Sequence, residues 1–257
     1  MTYNNLLLEK NHQTLIIKIN RPDKLNALNQ EVLKELNLVL NELFSNNEYL
    51  SAIITGSGGK SFIAGADIKE FLEFKDGKKL AECGQDLFKK IENSPKPIIA
   101  CVNGFALGGG CELAMACHIR MASTNARFAQ PEINLGLIPG WGGTQRLPML
   151  IGKSRAIEYL LTGNHISADQ ALQFGLVNYV LPPEDLIPKA LELLKQIHTK
   201  SQIGVEETLK AVNDYFDKDT SGFATEIYSF EKCFRSPDSK EGITAFLEKR
   251  PPIFKVK

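Results

Sequence analysis

The sequence lacks any apolar run long enough to cross a bilayer, and residues 1–10 contain no basic segment followed by an apolar stretch. It also lacks a net charge, because 30 lysines and arginines balance 30 aspartates and glutamates. A chain without a large net field is not drawn as a whole to nucleic acid or to an anionic membrane. We therefore expect no nucleic-acid partner, no membrane association and a cytoplasmic location.

The cysteines lack the paired spacing that is typical of metal sites, redox motifs and disulfide frameworks. Their number is odd and most of them lie in apolar segments, which favours buried thiols in a reducing compartment. With 257 residues, of which 43% are apolar, the chain can bury a substantial core, and one main domain with an appendage is expected. The cysteines are Cys83, Cys101, Cys111, Cys117 and Cys233.

Several motifs of catalysis and cofactor binding are absent as well. Gly59-Lys60-Ser61 ends like a phosphate-binding loop, but that loop needs a glycine where the chain has Ile54. The dinucleotide fingerprint fails at Leu113, where a third glycine is required after Gly108-Gly109-Gly110. No serine occurs as Gly-x-Ser-x-Gly, and the four histidines lack metal-ligand spacing. Nucleoside triphosphate, NAD and zinc sites therefore lack support.

Strand patterns alternate with helix patterns through the first two thirds of the chain. Residues 6–20 predict a β-hairpin, and apolar residues at helical spacing from Val32 to Phe44 predict a helix with Asn29 as its N-cap. Repeated strand, glycine turn and helix predict stacked α/β units with their turns on one side, where ligands of such folds bind. Further strands are predicted at 52–55, 97–102 and 118–122, helices at 67–74, 80–91 and from 112 to 116, and a glycine-rich turn at 104–110. His118 begins an apolar strand, where a core histidine is favoured over a catalytic one.

From Lys153 onward the pattern is almost wholly helical, with one strand at 177–181. This tail contains no long low-complexity linker, so we expect it to pack on the α/β part or on another subunit. A boundary near 190–202 divides the chain into an α/β core of residues 1–195 and a helical region of residues 196–257. Helices are predicted at 154–161, 167–174, 186–197, 206–216, 223–233 and 240–249.

Two glutamates stand alone in uncharged surroundings. Glu112 follows three glycines and a cysteine and precedes an apolar stretch, and Glu132 is the only charge in its immediate neighbourhood. Burial of an ionised carboxylate is costly, so such residues near glycine turns are candidates for proton transfer. The alternative is a surface acid or a residue that favours the helix dipole, and composition alone leaves the two interpretations even.

The glycines next to Glu112 indicate a second functional element. Gly109 lies at a predicted helix start, where backbone N–H groups are unpaired and a ligand can approach closely. A second amide from the turn Ala64-Gly65-Ala66-Asp67, which also precedes a helix, would complete a pair that polarises a thioester carbonyl.

Several segments resemble the crotonase, or enoyl-CoA hydratase/isomerase, superfamily: 61–68, 102–113 and 128–146, together with Asn20-Arg21-Pro22 and 246–250. The resemblance covers essentially the whole chain. It implies a crotonase-like spiral of repeated ββα units followed by a C-terminal helical trimerisation region. The assembly that it implies is a homo-oligomer, either a trimer or a dimer of trimers.

The likeness is greatest to short-chain enoyl-CoA hydratases, in which both acidic positions are glutamate. By this resemblance, the N–H groups of Ala66 and Gly109 hold the thioester oxygen of an acyl-CoA substrate. Glu112 acts as base toward a water and Glu132 delivers a proton to C2, so that syn addition across the 2,3-double bond gives a 3-hydroxyacyl-CoA. This chemistry needs no metal and no organic cofactor, since CoA enters as part of the substrate.

The resemblance also implies contacts with CoA. Lys24, Lys60 and Lys69 match cations near the nucleotide, and Phe246 with Lys249 match a segment that reaches it from a neighbouring subunit. For each lysine alone, a solvated surface side chain is the alternative. The other positions assigned to the substrate are Ala64, Asp67, Ile68, Gly108, Pro131, Gly140 and Trp141.

The only tryptophan, Trp141, stands where many relatives have a small residue. Two interpretations are open: the indole packs against a helix start, or it lines the acyl pocket and favours short acyl chains.

Other functions compete with hydration. Isomerases on the same scaffold normally need only one of the two carboxylates, and decarboxylases or acyl-CoA hydrolases alter one or both, so the presence of Glu112 and Glu132 favours hydration. An RNA-binding or structural member of the superfamily is the alternative from another class, and the balanced charge argues against it.

Overall fold

The computed structural model of the protein describes residues 3–71, 76–216 and 221–254. The chain begins with two antiparallel strands, β1 (Leu6–Asn11) and β2 (Thr14–Ile19), which form the predicted hairpin. Helix α1 (Gln30–Ser45) follows, and the Asn29 side chain accepts a hydrogen bond from the Val32 N–H as the predicted N-cap. The apolar face of α1 is buried in the same core as the side chains of β2.

Three repeats of strand, strand and helix come next. Each repeat contributes its first strand to a larger sheet and its second strand to a smaller one. The repeats are β3 (Ser51–Gly56), β4 (Ser61–Ile63), α2 (Ile68–Phe71) and α3 (Gly77–Glu92); then β5 (Ile98–Val102), β6 (Phe105–Leu107) and α4 (Gly109–Ala116); then β7 (Ile119–Ser123), β8 (Arg127–Ala129), a 3-10 turn (Pro131–Leu135) and α5 (Gly143–Ile151). This is the ββα spiral that the sequence resemblance implies.

The rest of the chain is mainly helical. In order, its elements are α6 (Lys153–Thr162), β9 (Ile166–Ser167), α7 (Ala168–Phe174), β10 (Tyr179–Leu181), α8 (Leu186–His198), α9 (Gln202–Phe216), α10 (Gly222–Phe234) and α11 (Pro237–Leu247). The gap between α8 and α9 falls within the interval 190–202, and the division into residues 1–195 and 196–257 stays a prediction. No helix in the described ranges is long and apolar enough to cross a membrane.

The two sheets determine where the site forms. The larger sheet has the strand order β1-β2-β3-β5-β7-β10, and the smaller has β4-β6-β8-β9. In the smaller sheet β4, β6 and β8 run parallel to one another. Because the carboxyl ends of parallel strands lie on one edge of a sheet, the segments that follow these three strands meet there.

Both faces of the larger sheet are covered, as is usual for parallel strands made of continuous apolar runs. On one face, α8 packs Leu186 and Leu194 against Ile53 of β3 and Ile99 of β5. On the other face, side chains such as Ile54 lie in a core shared with α1, α3 and α4. Full burial of a side chain of this size contributes about 1.5–3 kcal/mol, so the sheet is a rigid support for the turns at its edge.

The structure corrects the assignment from the sequence in the smaller sheet and beyond it. Residues 104–110, predicted as a glycine-rich turn, contain strand β6, and no pattern predicts β4, β8 or α5. Three-residue strands are too short to show alternation, and α5 begins with Gly143 and contains Pro148. The helix predicted at 67–74 is α2 as far as Phe71, and residues 72–75 lie outside the described part of the chain.

Candidate active site

The edge at which β4, β6 and β8 end brings the main predicted site residues together. Residues 64–67 follow β4, Gly108 follows β6, and residues 130–132 follow β8. A Cβ atom at Gly65 would lie 3.5 Å from the carbonyl oxygen of Leu107, and one at Gly108 would lie 2.6 Å from Oε1 of Glu132. Three segments that are distant in sequence therefore form one site.

Ala66 lies in a turn that the segment before α1 holds in place. Ala66 and Leu28 form a parallel β-bridge, in which the Leu28 N–H donates to the Gly65 oxygen at 2.8 Å and the Asp67 N–H donates to the Leu28 oxygen at 2.7 Å. Since these bonds flank Ala66, the N–H of Ala66 itself points away from Leu28. Arg21 adds an ion pair, with 3.1 Å between its Nη2 and Oδ2 of Asp67.

Gly109 is the first residue of α4, and its N–H is one of the amides that a helix leaves unpaired. Within the described residues, neither the Ala66 N–H nor the Gly109 N–H donates to a backbone oxygen. Leu28 lies next to both, because it bridges to Ala66 and its Cδ1 is 3.7 Å from where a Cβ of Gly109 would be. Two unpaired amides beside one apolar side chain can bind an oxyanion.

Glu112 lies in the first turn of α4 and is 2% exposed. Its Oε1 accepts hydrogen bonds from the N–H groups of Trp141 at 2.8 Å and Gly143 at 2.7 Å. Gly143 begins α5, so the carboxyl group sits at the N-terminus of that helix, where the dipole favours negative charge. Burial nevertheless raises the pKa of Glu112 to about 7, against the opposing effect of the Gly143 N–H.

Glu132 lies on the 3-10 turn after β8, and its carboxyl group is next to Gly108 at the start of α4. In the orientation that satisfies its surroundings, the Gln130 amide nitrogen donates to both Glu132 oxygens at 3.2 Å. Burial raises the pKa of Glu132 to about 6.

The surroundings of Glu112 also include the charge of Glu132. The charge of Glu132 contributes to the raised pKa of Glu112, after the larger effect of burial. Near neutral pH such a pair holds one proton between its two members. The site thus offers one group that can accept a proton and one that can donate it.

Trp141 is 5% exposed and, together with Ala66, lines a mainly apolar pocket, and its ring closely approaches Gly109. Its indole N–H donates to the Leu80 oxygen at 3.0 Å, and its ring meets Phe88 edge-on with 5.6 Å between the ring centroids. The indole packs just before the start of α5 and also lines this pocket, and the role of the pocket in binding the acyl chain stays a prediction. Other residues that line the pocket include Leu28, Leu33, Ala66, Leu80 and Cys83.

Residues 9–257 match the enoyl-CoA hydratase/isomerase family. The chain is 46% identical over 253 residues to a short-chain-enoyl-CoA hydratase from Clostridium acetobutylicum, with 97% of each chain covered. It is 45% identical over 257 residues to a crotonyl-CoA hydratase from Syntrophomonas wolfei, with 99% of each chain covered. The chain belongs to the enoyl-CoA hydratase/isomerase family. A crystal structure of an enoyl-CoA hydratase from Bacillus anthracis has a TM-score of 0.92 and 36% identity, covers 99% of this chain and 100% of its own, and confirms the crotonase-like fold.

In this enoyl-CoA hydratase/isomerase family member, the residues predicted to contact CoA are distributed unevenly. Lys24 and Lys69 are exposed near the turn at 64–67: Lys24 precedes Leu25, whose oxygen accepts from the Ala64 N–H, and Lys69 lies on α2, which follows the turn. Lys60 is exposed at the other end of β4. Phe246 is 82% exposed near the end of α11, and Lys249 follows that helix. Contact of these five residues with CoA stays a prediction. The other predicted contacts lie close to the site. Gly108 directly follows β6, Pro131 lies two residues after the end of β8, and Gly140 precedes Trp141. Ala64, Asp67 and Ile68 lie in or next to the turn at 64–67.

Sequence reasoning missed two polar residues of the site. Gln130, 1% exposed, contacts Glu132, and Arg146 of α5, 9% exposed, donates from Nη1 to the Trp141 oxygen at 3.0 Å. A signal for Arg146 was present, because it is the only charged residue between Glu132 and Lys153. The isolation in uncharged sequence that indicated the glutamates applies to this arginine too.

Three of the cysteines are core residues, and His118 is half-buried. His118 Nδ1 accepts a hydrogen bond from the Ile98 N–H at 3.0 Å, and burial lowers the pKa of its imidazole to about 4. Cys83 is exposed and Cys233 is half-buried, so the expectation of buried thiols is wrong for these two. In the part of the chain that the structure describes, no group of three or more His, Cys, Asp or Glu side chains could hold a metal ion. Burial raises the thiol pKa of Cys101, Cys111 and Cys117.

Proposed function

We propose that the protein is an enoyl-CoA hydratase that adds water, reversibly and with syn geometry, to the 2,3-double bond of a short-chain trans-2-enoyl-CoA. The observation that carries this proposal is the presence of both Glu112 and Glu132 beside two unpaired amides. The relatives named short-chain-enoyl-CoA hydratase and crotonyl-CoA hydratase support the same class of substrate.

The first step of the reaction is binding of the thioester carbonyl at the oxyanion site. The thioester carbonyl oxygen accepts hydrogen bonds from the Ala66 and Gly109 N–H groups, which draws electron density from C3 and makes it electrophilic. Negative charge then develops on this oxygen as the enolate forms. One such donor typically contributes about 10²- to 10³-fold to the rate, because the amides are fixed in advance and need no reorganisation.

The glutamates carry the protons. Glu112 takes a proton from the water whose oxygen bonds to C3, and the π electrons of the double bond move into the enolate. Glu132 then gives its proton to C2 as the carbonyl is restored, which leaves Glu112 protonated and Glu132 ionised. Transfer of one proton between the carboxyl groups resets the site, and the reverse sequence is dehydration.

The pocket beside the amides supports a short acyl chain. Trp141 occupies the space between α3 and the start of α4, with contacts to Leu80 and Phe88 and a close approach to Gly109. An acyl chain bound with its carbonyl at the two amides meets this indole, so a four-carbon chain fits better than a long one.

The remaining parts of the proposal follow the family resemblance. The lysines Lys24, Lys60 and Lys69 contact the nucleotide portion of CoA, and Phe246 with Lys249 reach it from a neighbouring subunit of a trimer or a dimer of trimers. The exposed apolar side chains of α9 to α11, among them Phe230 and Phe234, support such an assembly. The reaction uses no metal and no organic cofactor, and it takes place in the cytoplasm.

The proposal is tested with purified protein and crotonyl-CoA. Hydration is followed as the loss of absorbance of the conjugated thioester. Glu112→Ala and Glu132→Ala are each expected to lower turnover by about 10²- to 10⁴-fold, the usual contribution of general acid–base catalysis. Glu158→Ala, which removes an exposed carboxylate on α6, is the control and should leave turnover unchanged.

The alternatives give different results in the same preparation. Full activity in either glutamate variant rules out the mechanism. Conversion of a 3-enoyl-CoA without hydration of crotonyl-CoA identifies an isomerase. Tight RNA binding in a gel shift at physiological salt, together with no turnover, identifies the RNA-binding alternative.

A further inference from the structure

Arg146 connects two parts of the molecule that flank Glu112. From α5, its Nη1 donates to the Trp141 carbonyl oxygen at 3.0 Å. Its Nε and Nη2 donate to the two carboxylate oxygens of Glu92, at the end of α3, at 3.1 and 2.8 Å. The arginine side chain is 10% exposed and the Glu92 side chain 34% exposed, so this is a two-pronged ion pair with its cation turned inward.

Arg146 contacts the turn at residues 141–143, and the same turn binds the Glu112 carboxyl group. The N–H groups of Trp141 and Gly143 both donate to Oε1 of Glu112. Between them lies Gly142, which has a φ of 109° and is so close to the arginine that a Cβ there would lie 2.1 Å from Nη1. The guanidinium thus packs directly on the peptide units whose amides point at the carboxylate.

We propose that Arg146, held by Glu92, is a positioning residue for Glu112: it fixes the turn at 141–143 whose two amides orient the carboxylate. This inference rests on the proposed function, because it assigns Glu112 the role of base. Misplacement of a reacting group by about 1 Å can cost 10²-fold in rate, so a residue that fixes the turn has an effect on turnover without touching substrate.

Glu92 is itself held in place by a residue of the helical tail. The Nδ2 of Asn213, on α9, donates to the backbone oxygen of Glu92 at 2.6 Å. The end of α3 is therefore tied to α9 by its backbone and to α5 by its side chain. Because Glu92 is held in this way, it can hold Arg146 in turn.

Arg146 also acts on Glu112 by charge. Its guanidinium lowers the pKa of Glu112, in opposition to the larger effect of burial. The other titratable groups near these two residues are Glu132 on the 3-10 turn, Glu92 on α3, Cys111 on α4 and Cys117 directly after it, and burial keeps both thiols neutral. Glu92 also faces two further groups, His118 and Arg120. Loss of the cation should therefore make Glu112 harder to ionise, and loss of Glu92 should make it easier.

The test combines activity with a direct signal from the turn. Trp141 is the only tryptophan, and its fluorescence can be excited where tyrosine does not absorb. Its backbone N–H donates to the Glu112 carboxyl group, so this fluorescence reports protonation of that group through the turn. In the full-length protein, Arg146→Met is expected to lower kcat for crotonyl-CoA about tenfold or more with a smaller change in KM. It should also raise the midpoint of the fluorescence titration, because the guanidinium lowers the pKa of Glu112.

Two further variants separate positioning from general damage. Arg146→Lys keeps the charge but loses the planar fork, so the midpoint should stay near that of the unaltered protein while kcat recovers in part. Glu92→Gln should lower the midpoint, the opposite direction, because the cation is no longer neutralised. Arg155→Met, on an exposed arginine of α6, is the control and should change neither signal.

Specific results of these titrations would overturn the positioning role of Arg146. A midpoint within about 0.2 pH units of the unaltered protein in Arg146→Met and in Glu92→Gln overturns the inference, as does a shift in the same direction in both. If Arg146→Met does not fold by circular dichroism, Glu92→Gln decides, and an unchanged or raised midpoint overturns it. Absence of hydration in the unaltered protein contradicts the proposed function instead, and the fluorescence titration still tests the hold of Arg146 on the turn.

Discussion

Trp141 and Gly109 are packed so closely that a Cβ atom at position 109 would lie 2.5 Å from Cζ3 of the indole. The tryptophan that closes the apolar pocket therefore rests on the residue whose N–H is proposed to bind the thioester oxygen. A side chain at position 109 would displace the indole or the backbone, because the indole is also held by Leu80 and Phe88. In the proposed mechanism, this contact links selection of the acyl chain to the amide that binds the thioester oxygen.

Gly109→Ala is expected to lower kcat/KM for crotonyl-CoA by about 10²-fold or more, because the new methyl group displaces either the indole or the amide. Gly77→Ala is the matched control: both glycines are the first residue of a helix, but no atom lies within 4 Å of a Cβ at Gly77. Steady-state kinetics with crotonyl-CoA measures both variants. Equal activity in the two would contradict the proposed role of the Gly109 amide.

Glu112→Gln is expected to stabilise the protein while it abolishes hydration. The pKa of Glu112 is raised from 4.5 to about 7, so the stability of the native state falls as the pH rises from about 4.5 to about 7 and stays lowered above that interval, where the buried carboxyl group is ionised. A glutamine keeps the oxygen that accepts from Trp141 and Gly143 and carries no charge. At pH 8 the free energy of unfolding should rise by roughly 1–3 kcal/mol.

The size of this effect depends on pH. Between about 4.5 and 7 the native state binds more protons than the unfolded state, so the advantage of glutamine shrinks as the pH falls and vanishes below that interval. Urea unfolding at pH 8 and pH 4.5 measures the difference, with Glu158→Gln as the exposed control. Lower stability of Glu112→Gln at pH 8 would show that the carboxylate is stabilised by its amide donors more than burial destabilises it.

The pH profile of kcat/KM should be bell-shaped. The proposed mechanism needs Glu112 ionised and Glu132 protonated. This is the less populated of the two singly protonated forms, because the pKa of Glu112 is raised to about 7 and that of Glu132 to about 6, but its population still follows that of the singly protonated pair. Below this interval both groups hold protons and no base is present; above it both are ionised and no proton is available for C2. The profile of kcat/KM for crotonyl-CoA should therefore have its maximum between about 6 and 7, and a profile that is flat from pH 5 to pH 9 would contradict it.

Parts of the site could be predicted from single residues because their isolation in uncharged sequence is visible without the fold. This holds for Glu112 and Glu132, and the same signal marks Arg146. The partner of Arg146 could not be predicted, because Glu92 lies at the end of a helix among other charged residues and is 54 positions away. Only the packing of α3 against α4 and α5 brings the two together.

The larger sheet could be predicted and the smaller one could not, for a physical reason. β3 and β5 are continuous apolar runs that are buried on both faces, and such runs are recognisable. β4, β6 and β8 have three residues each, and what holds them is parallel pairing with strands far away in the chain. The edge that assembles the site is made by these short strands, so it followed from the family resemblance and not from local pattern.

Trp141→Ala should lengthen the acyl pocket. Its indole fills the space beside Leu80 and the Ala66 amide, and removal of the ring opens that space to additional methylene groups of a substrate. Each methylene group that finds apolar surface is worth about 0.8 kcal/mol, so kcat/KM for trans-2-octenoyl-CoA relative to crotonyl-CoA is expected to rise by about tenfold or more.

The ratio of the two substrates is the decisive quantity, since a loss of the Trp141 contacts with Gly109 and Phe88 lowers turnover of both alike. Trp141→Phe serves as the matched control, because it keeps an aromatic ring over Gly109 and should retain most of the preference for crotonyl-CoA. If the ratio is the same in the alanine variant as in the unaltered protein, the indole only packs the start of α5, and the limit on chain length lies elsewhere in the pocket.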